Sequence, residues 1–139
     1  MFESHGQTEV TTQDALIRVL ARGRFNLDGC RRFIELVGQA VEQQGDRPFV
    51  MLIDNLQFEG GTPEAYRELD VFNAWLNTRP LVAKAMLLRS EMLSQIMNRL
   101  APSRRQQNIR EFADEDSAMA WLQAELQAAA SGKTAGQQD

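Results

Sequence analysis

Nine residues of this chain have types and spacing suited to contact with a ligand or a partner: Asp54, Phe58, Gly60, Gly61, Thr62, Tyr66, Trp75, Arg89 and Ser90. The apolar run Phe49-Val50-Met51-Leu52-Ile53 ends in Asp54, and Phe58-Glu59-Gly60-Gly61 follows with the chemistry of a turn. Thr62 then stands before Pro63, as an N-cap stands before the first helical position. Free N–H groups at a helix start attract an anion. Arg89 and Ser90 follow the next apolar run, and so bring a cation and a second hydroxyl to the same end of a sheet. Tyr66, Val71 and Trp75 widen the apolar stripe of the helix after Thr62, and Met86, Met92 and Met97 add adaptable apolar surface.

These residues do not assemble a reaction centre. Asp54 as a general base has no partner at a readable spacing, and an Asp at a strand end ordinarily tethers the chain through backbone hydrogen bonds. Glu59 and Glu64 are acids of the kind that a helix start favours. His5 is the only histidine and Cys30 the only cysteine, so a Ser-His-Asp or Cys-His set, or a histidine metal site, would have to recruit the N-terminal segment. Cys30 shares a helical stripe with Phe33 and Val37, where a thiol acts as a small hydrophobe. No catalytic residue, metal or cofactor is expected, and a hydrolase working through Asp54 or Thr62 is the weakest reading. Arg99, Arg104, Arg105 and Arg110 cluster around one turn and read as a solvated loop without interleaved aromatics.

The elements that position these residues follow from periodicity. Ile17, Val19 and Ala21 alternate with Arg18 and Arg22, the pattern of a half-buried strand, and a shorter strand from Thr8 to Thr12 pairs with it through the Gln13-Asp14 turn. Cys30, Phe33, Val37 and Val41 predict a helix from Leu27 to Gln44, capped by Asn26 or Asp28. Phe49 to Ile53 is a strand covered on both faces, ending at Asp54, with a loop to Thr62. A second helix carries Ala65, Leu69, Phe72 and Leu76 to about Asn77, and a strand runs from Leu81 to Leu88. Ser90 caps a helix with Leu93, Ile96, Met97 and Leu100, which Pro102 ends. Ile109 and Phe112 mark a last strand, and Asp114-Glu115-Asp116-Ser117 opens a final helix with Ala118, Trp121, Leu122 and Leu126. The order β-β-α-β-α-β-α-β-α predicts an α/β fold with a mixed, mostly parallel sheet of four or five strands covered by helices.

Composition sets the outer limits. The chain has 139 residues, 43% of them hydrophobic and 24% charged, which suits one globular domain over residues 1–130. Residues 131–139 are small and polar and read as a disordered tail. The net charge of −4 offers no global field for nucleic acid. The start Met1-Phe2-Glu3-Ser4-His5-Gly6 lacks the pattern of a secretion signal, and no stretch has the length of a bilayer span, so a cytoplasmic chain without integral membrane association is expected.

Certain motifs carry a resemblance. Asp54, then Phe58-Glu59-Gly60, then Tyr66, Phe72 and Trp75, and the ending Phe112-Ala113-Asp114-Glu115-Asp116-Ser117-Ala118-Met119-Ala120-Trp121-Leu122 resemble the SpoIIAA-like (STAS/SEC14-type) family of small bacterial proteins. The likeness spans roughly Leu16 to Leu126 and implies a STAS-like fold. In the antagonists of this fold a serine after the central strand is phosphorylated. This chain has Glu59-Gly60-Gly61-Thr62 in that neighbourhood, and Arg89-Ser90 where the SpoIIAA-like branch more often has Gly-Asp.

The resemblance implies a non-catalytic regulatory module that docks a protein partner, using the surface from Phe58 to Tyr66 and the helix after it; a second copy of the chain, as a homodimer, is one such partner. The alternative is a protein that binds a small apolar molecule or a lipid in a pocket between the second and third helices lined by Phe72, Trp75, Met92 and Ile96; a small anionic ligand would instead meet the helix start at Thr62 beside Arg89.

Overall fold

A computed structural model describes residues 5–132. The first two strands, β1 (Gln7–Gln13) and β2 (Leu16–Phe25), form an antiparallel hairpin whose turn places Asp14 at φ 53°, a left-handed conformation that Asp tolerates. Helix α1 (Leu27–Gln44) follows, and it is Asn26 rather than Asp28 that caps it: the Asn26 side chain accepts from the Gly29 N–H at 2.8 Å. Strand β3 (Phe49–Gly61), helix α2 (Pro63–Leu76), strand β4 (Leu81–Leu87), helix α3 (Glu91–Leu100), a 3-10 turn (Pro102–Gln106), strand β5 (Ile109–Phe112) and helix α4 (Glu115–Ala130) complete the chain. The five strands lie in the order β1-β2-β3-β4-β5, and every pairing after the hairpin is parallel. The expected mixed α/β sheet is therefore present with five strands.

The central strands bury both faces because their side chains alternate between two cores. Met51 and Ile53 of β3 face Val37 and Val41 of α1 and Phe72 and Leu76 of α2, while Val50 and Leu52 face Ala118 and Leu122 of α4. Helices α1, α2 and α3 cover one side of the sheet, and α4 covers β3, β4 and β5 on the other. Each large apolar side chain that is fully buried in these layers, such as Phe49 or Leu52, contributes about 1.5–3 kcal/mol.

Strand β3 overturns one expectation. The stretch from Asn55 to Gly61 is not a loop after the strand; it continues the strand, paired with Arg22 to Phe25 of β2. Leu20 pairs with Asp54 and Arg22 with Gln57, then Gly23 pairs with Phe58 and Arg24 with Gly60, so β3 carries an extra residue at two places. Such bulges reset the alternation and bend the strand. At the second of them Gly60 adopts φ 107°, a conformation that a side chain resists. Turn chemistry in the sequence thus marks kinks inside a long strand.

The helix starts match their residues. Thr62 caps α2 by accepting from the Ala65 N–H at 3.2 Å, Ser90 caps α3 by accepting from Leu93, and Asp114 caps α4 by accepting from Ser117. A Thr62→Ala substitution is expected to lower stability by about 1 kcal/mol, measured as a shift in the urea midpoint at unchanged slope. Residues 1–4 and 133–139 lie outside the described residues, and with them most of the sequence assigned to a tail.

Candidate functional site

The carboxyl ends of β2 and β3 and the entry to α3 enclose an open cleft of about 770 Å³. Arg22, Arg24, Phe58 and Glu59 line it from the two strands, Arg89 and Ser90 from the turn after β4, and His5 from the N-terminal side. Arg22 is held by Glu9 at 3.4 Å. Arg24 and Arg89 are exposed and pair with no carboxylate among the described residues. His5 is tied down through its backbone, since its N–H donates to the Asn26 side chain at 3.1 Å and its carbonyl accepts from the Asn26 N–H.

The nine residues singled out in the sequence separate in space. Phe58, Arg89 and Ser90 meet in the cleft. Asp54 lies within β3 and not at its end, and its carboxylate accepts from the Leu56 N–H at 3.1 Å, so it tethers the first bulge. Gly60 and Gly61 shape the second bulge and the strand end, where the Thr62 N–H donates to the Phe25 carbonyl at 3.0 Å. The hydroxyls of Thr62 and Ser90 are engaged as caps. Tyr66 is buried beneath the strand. Trp75 sits near the far end of α2, stacked on Phe72 at 5.6 Å with the Arg79 guanidinium over its ring at 5.5 Å.

The pocket expected between α2 and α3 is not formed by its four residues. Phe72 and Trp75 stack on each other, Ile96 packs against the core, and Met92 is 70% exposed. A different space exists. Between α1, α2 and the sheet lies a cavity of about 80 Å³, walled by Phe33, Val37 and Phe72 from the helices and by Ala21, Met51 and Met86 from the strands. Asn55 and Phe58 border both this cavity and the cleft outside it.

Polar groups enter this apolar cavity, and the sequence reading missed them. Lys84 is buried on the inner face of β4, where its ammonium donates to the Asn73 side-chain carbonyl at 3.0 Å. Burial, with a smaller contribution from the nearby Arg104, pushes its pKa down to about 7. Arg104 is buried as well, contrary to its expected place in a solvated arginine loop. Its guanidinium donates to Asn98 and to the Met86 sulfur. Burial lowers its pKa, opposed by the charge of Glu111. Lysine inside an apolar strand flanked by Ala83 and Ala85 was the available signal, because a strand covered on both faces has no exposed position.

Cys30 and Tyr66 are quiet as nucleophiles. Cys30 is buried and its thiol donates to the Ala65 carbonyl at 3.1 Å; burial first, and then Glu68, pushes its pKa up to about 11. Burial also raises the Tyr66 hydroxyl, partly offset by the Gly61 amide. Among the described residues no group of three His, Cys, Asp or Glu side chains could hold a metal ion, and no helix is long and apolar enough to cross a membrane.

Comparison with solved structures identifies the architecture. One similar structure is that of an uncharacterized protein of the DUF3478 family with a SpoIIAA-like fold from Shewanella loihica PV-4. It has 16% sequence identity and a TM-score of 0.59, over 88% of this chain and 97% of that one. The chain has a SpoIIAA-like fold. A second structure with the same arrangement is an anti-sigma factor antagonist from Mycobacterium paratuberculosis, at 13% identity and a TM-score of 0.61, over 85% of this chain and 94% of that one. No protein-family model and no curated protein matches the sequence. On this fold the long, twice-bulged β3 and the α3 entry build the cleft, and the inner face of β4 carries the buried cation.

Proposed function

We propose that the chain is a non-catalytic regulatory module that docks a protein partner at the cleft between the ends of β2 and β3 and the start of α3. The observation that carries this reading is the pair of exposed, unpaired guanidinium groups, Arg24 and Arg89, beside the half-buried ring of Phe58. Arginine next to an aromatic ring is the composition of an interface centre rather than of ordinary surface. The chain as a whole is acidic, so a local basic site of this kind selects a partner that presents carboxylates beside an apolar residue. The likeness to an anti-sigma factor antagonist supports the same reading, because that protein is named for action on another protein.

The hydroxyl of Thr62 is occupied by its cap, so docking on this reading is governed by charge and shape at the cleft and not by phosphorylation at that position. The test is affinity isolation from the source cell with the tagged chain, run beside an Arg24→Glu/Arg89→Glu variant and a control variant, Arg32→Glu, on the outer face of α1. The expected result is one or more proteins recovered by the chain and the control, lost to the charge-reversed variant, and about tenfold weaker when salt is raised from low to several tenths molar. Recovery of the same proteins by the charge-reversed variant would reject the cleft as the docking surface.

A further inference from the structure

Lys84 and Arg104 place two cationic side chains in the interior, and neither forms an ion pair with a carboxylate among the described residues. Glu111, the acid nearest in effect to Arg104, is exposed and its carboxylate is taken by the Ser94 hydroxyl. Buried charges are ordinarily paired, because removing an ion from water is costly unless a counter-ion stands beside it. Here both cations border the cavity beneath α1 and α2. Their neighbours leave donors free: the Lys84 ammonium has three N–H groups and, among the described residues, one acceptor, and one guanidinium N–H of Arg104 is spent on a thioether, a weak acceptor. Tyr66, 4% exposed and with its hydroxyl unsatisfied, also lines this space.

We propose that this cavity binds a small carboxylic acid anion, its carboxylate held by Lys84 and Arg104 and its short apolar chain packed against Phe72, Met51 and Val37. The chemistry of the walls fixes both halves of that ligand. Cationic donors at one end call for an anion, and apolar side chains elsewhere exclude a polyol or a sugar. Size sets its length. An apolar cavity of roughly 150 Å³ accepts benzene, so a space of about 80 Å³ suits a chain of only a few carbons. The inference is independent of the docking reading, since it concerns the interior and not the cleft, and either stands if the other fails.

The chain contains two lysines, Lys84 and Lys133, which makes the test direct. With lysine side chains labelled at Cε with carbon-13, acetate, propionate, butyrate, hexanoate and octanoate are titrated at pH 6.5 and followed by NMR, with butyramide as the neutral counterpart and inorganic phosphate as the alternative anion. The expected result is saturable binding that peaks at propionate or butyrate and moves the Lys84 signal, with butyramide and phosphate at least about tenfold weaker. Lys84→Met, which preserves side-chain volume, and Arg104→Met are expected to weaken butyrate by about tenfold or more while retaining cooperative unfolding. For the Arg104 variant the chemical shifts of the remaining core methyl groups report that the fold is kept. Equal binding of butyramide and butyrate, preference for phosphate, undiminished binding by the Lys84→Met variant, or no binding of any member of the series at millimolar concentration would each overturn the proposal.

Discussion

Replacing Lys84 with methionine is expected to raise the stability of the chain at pH 7 by several kcal/mol, on the order of 3–5, and to remove a rise of stability with pH. In the unfolded chain the ammonium keeps its proton up to pH 10.5, whereas in the folded chain burial leaves it a pKa of about 7. Between those values the unfolded chain binds more protons, so stability climbs as pH rises, by at most about 1.4 kcal/mol per unit. Below pH 7 the cost of burying the charge is present in full. Cys30 acts with the opposite sign, because its pKa goes from 9.0 unfolded to about 11 folded, and stability is lost as pH rises through that interval. The raised Tyr66 adds to the same loss above pH 10.

These contributions give a profile that rises from pH 7 to pH 9 and then levels, where the slopes of Lys84 and Cys30 cancel. In the Lys84→Met variant the profile is level up to pH 9 and falls above it. Asn73 keeps a partner in that variant, since the Gln107 amide also donates to its side-chain carbonyl at 3.1 Å. Urea unfolding at half-unit steps from pH 6.5 to 10 measures both curves. A wild-type stability that stays flat between pH 7 and 9 would refute the account of Lys84 as a buried amine.

Asn73→Ala carries the second large expected effect, a loss of about 3 kcal/mol. Asn73 is 3% exposed and works in three directions: its side-chain carbonyl accepts from Lys84 and Gln107, and its amide donates to the Leu69 carbonyl at 3.0 Å. Removing it leaves the Lys84 amine without its hydrogen-bond partner in an apolar surrounding, where an unsatisfied polar group costs the most. The loss should shrink by about 1–2 kcal/mol when the same change is made in the Lys84→Met background, because the stranded amine is then absent. Unfolding free energies of the four proteins at pH 7 give the coupling directly. Additivity within about 0.5 kcal/mol would mean that the two residues do not act as a pair.

The elements were legible where one local rule acted alone. Alternation of Ile17, Val19 and Ala21, the helical stripe from Cys30 to Val41, and the caps Thr62 and Ser90 are short-range signals, and the structure places each of them as its pattern demands. Strand β3 was harder because two rules compete in it. Asp54-Asn55 and Gly60-Gly61 have the chemistry of turns, but pairing with the second half of β2 outweighs it, and the glycine at φ 107° serves a bulge instead. The cleft was half legible: Phe58, Arg89 and Ser90 follow from the topology, whereas Arg22 and Arg24 enter only because β2 and β3 extend together beyond Asp54. The interior cations were not legible as a pair. Lys84 comes from β4 and Arg104 from the 3-10 turn after α3, and only the fold brings them to one cavity.

The strands lie across the sheet in the order in which the chain carries them. No later strand has to slip between two earlier ones, so on a ribosome each new strand adds at the open margin of those already laid down, and most loop closures span only one helix. The exception is the reverse side of β3 and β4, where Leu52 and Ala85 wait for Ala118 and Leu122 of the last helix. Until that helix is released, a nascent chain exposes a strip of greasy surface, and the interval during synthesis in which a holdase chaperone has most to grip is set by the distance from Leu87 to Ala118.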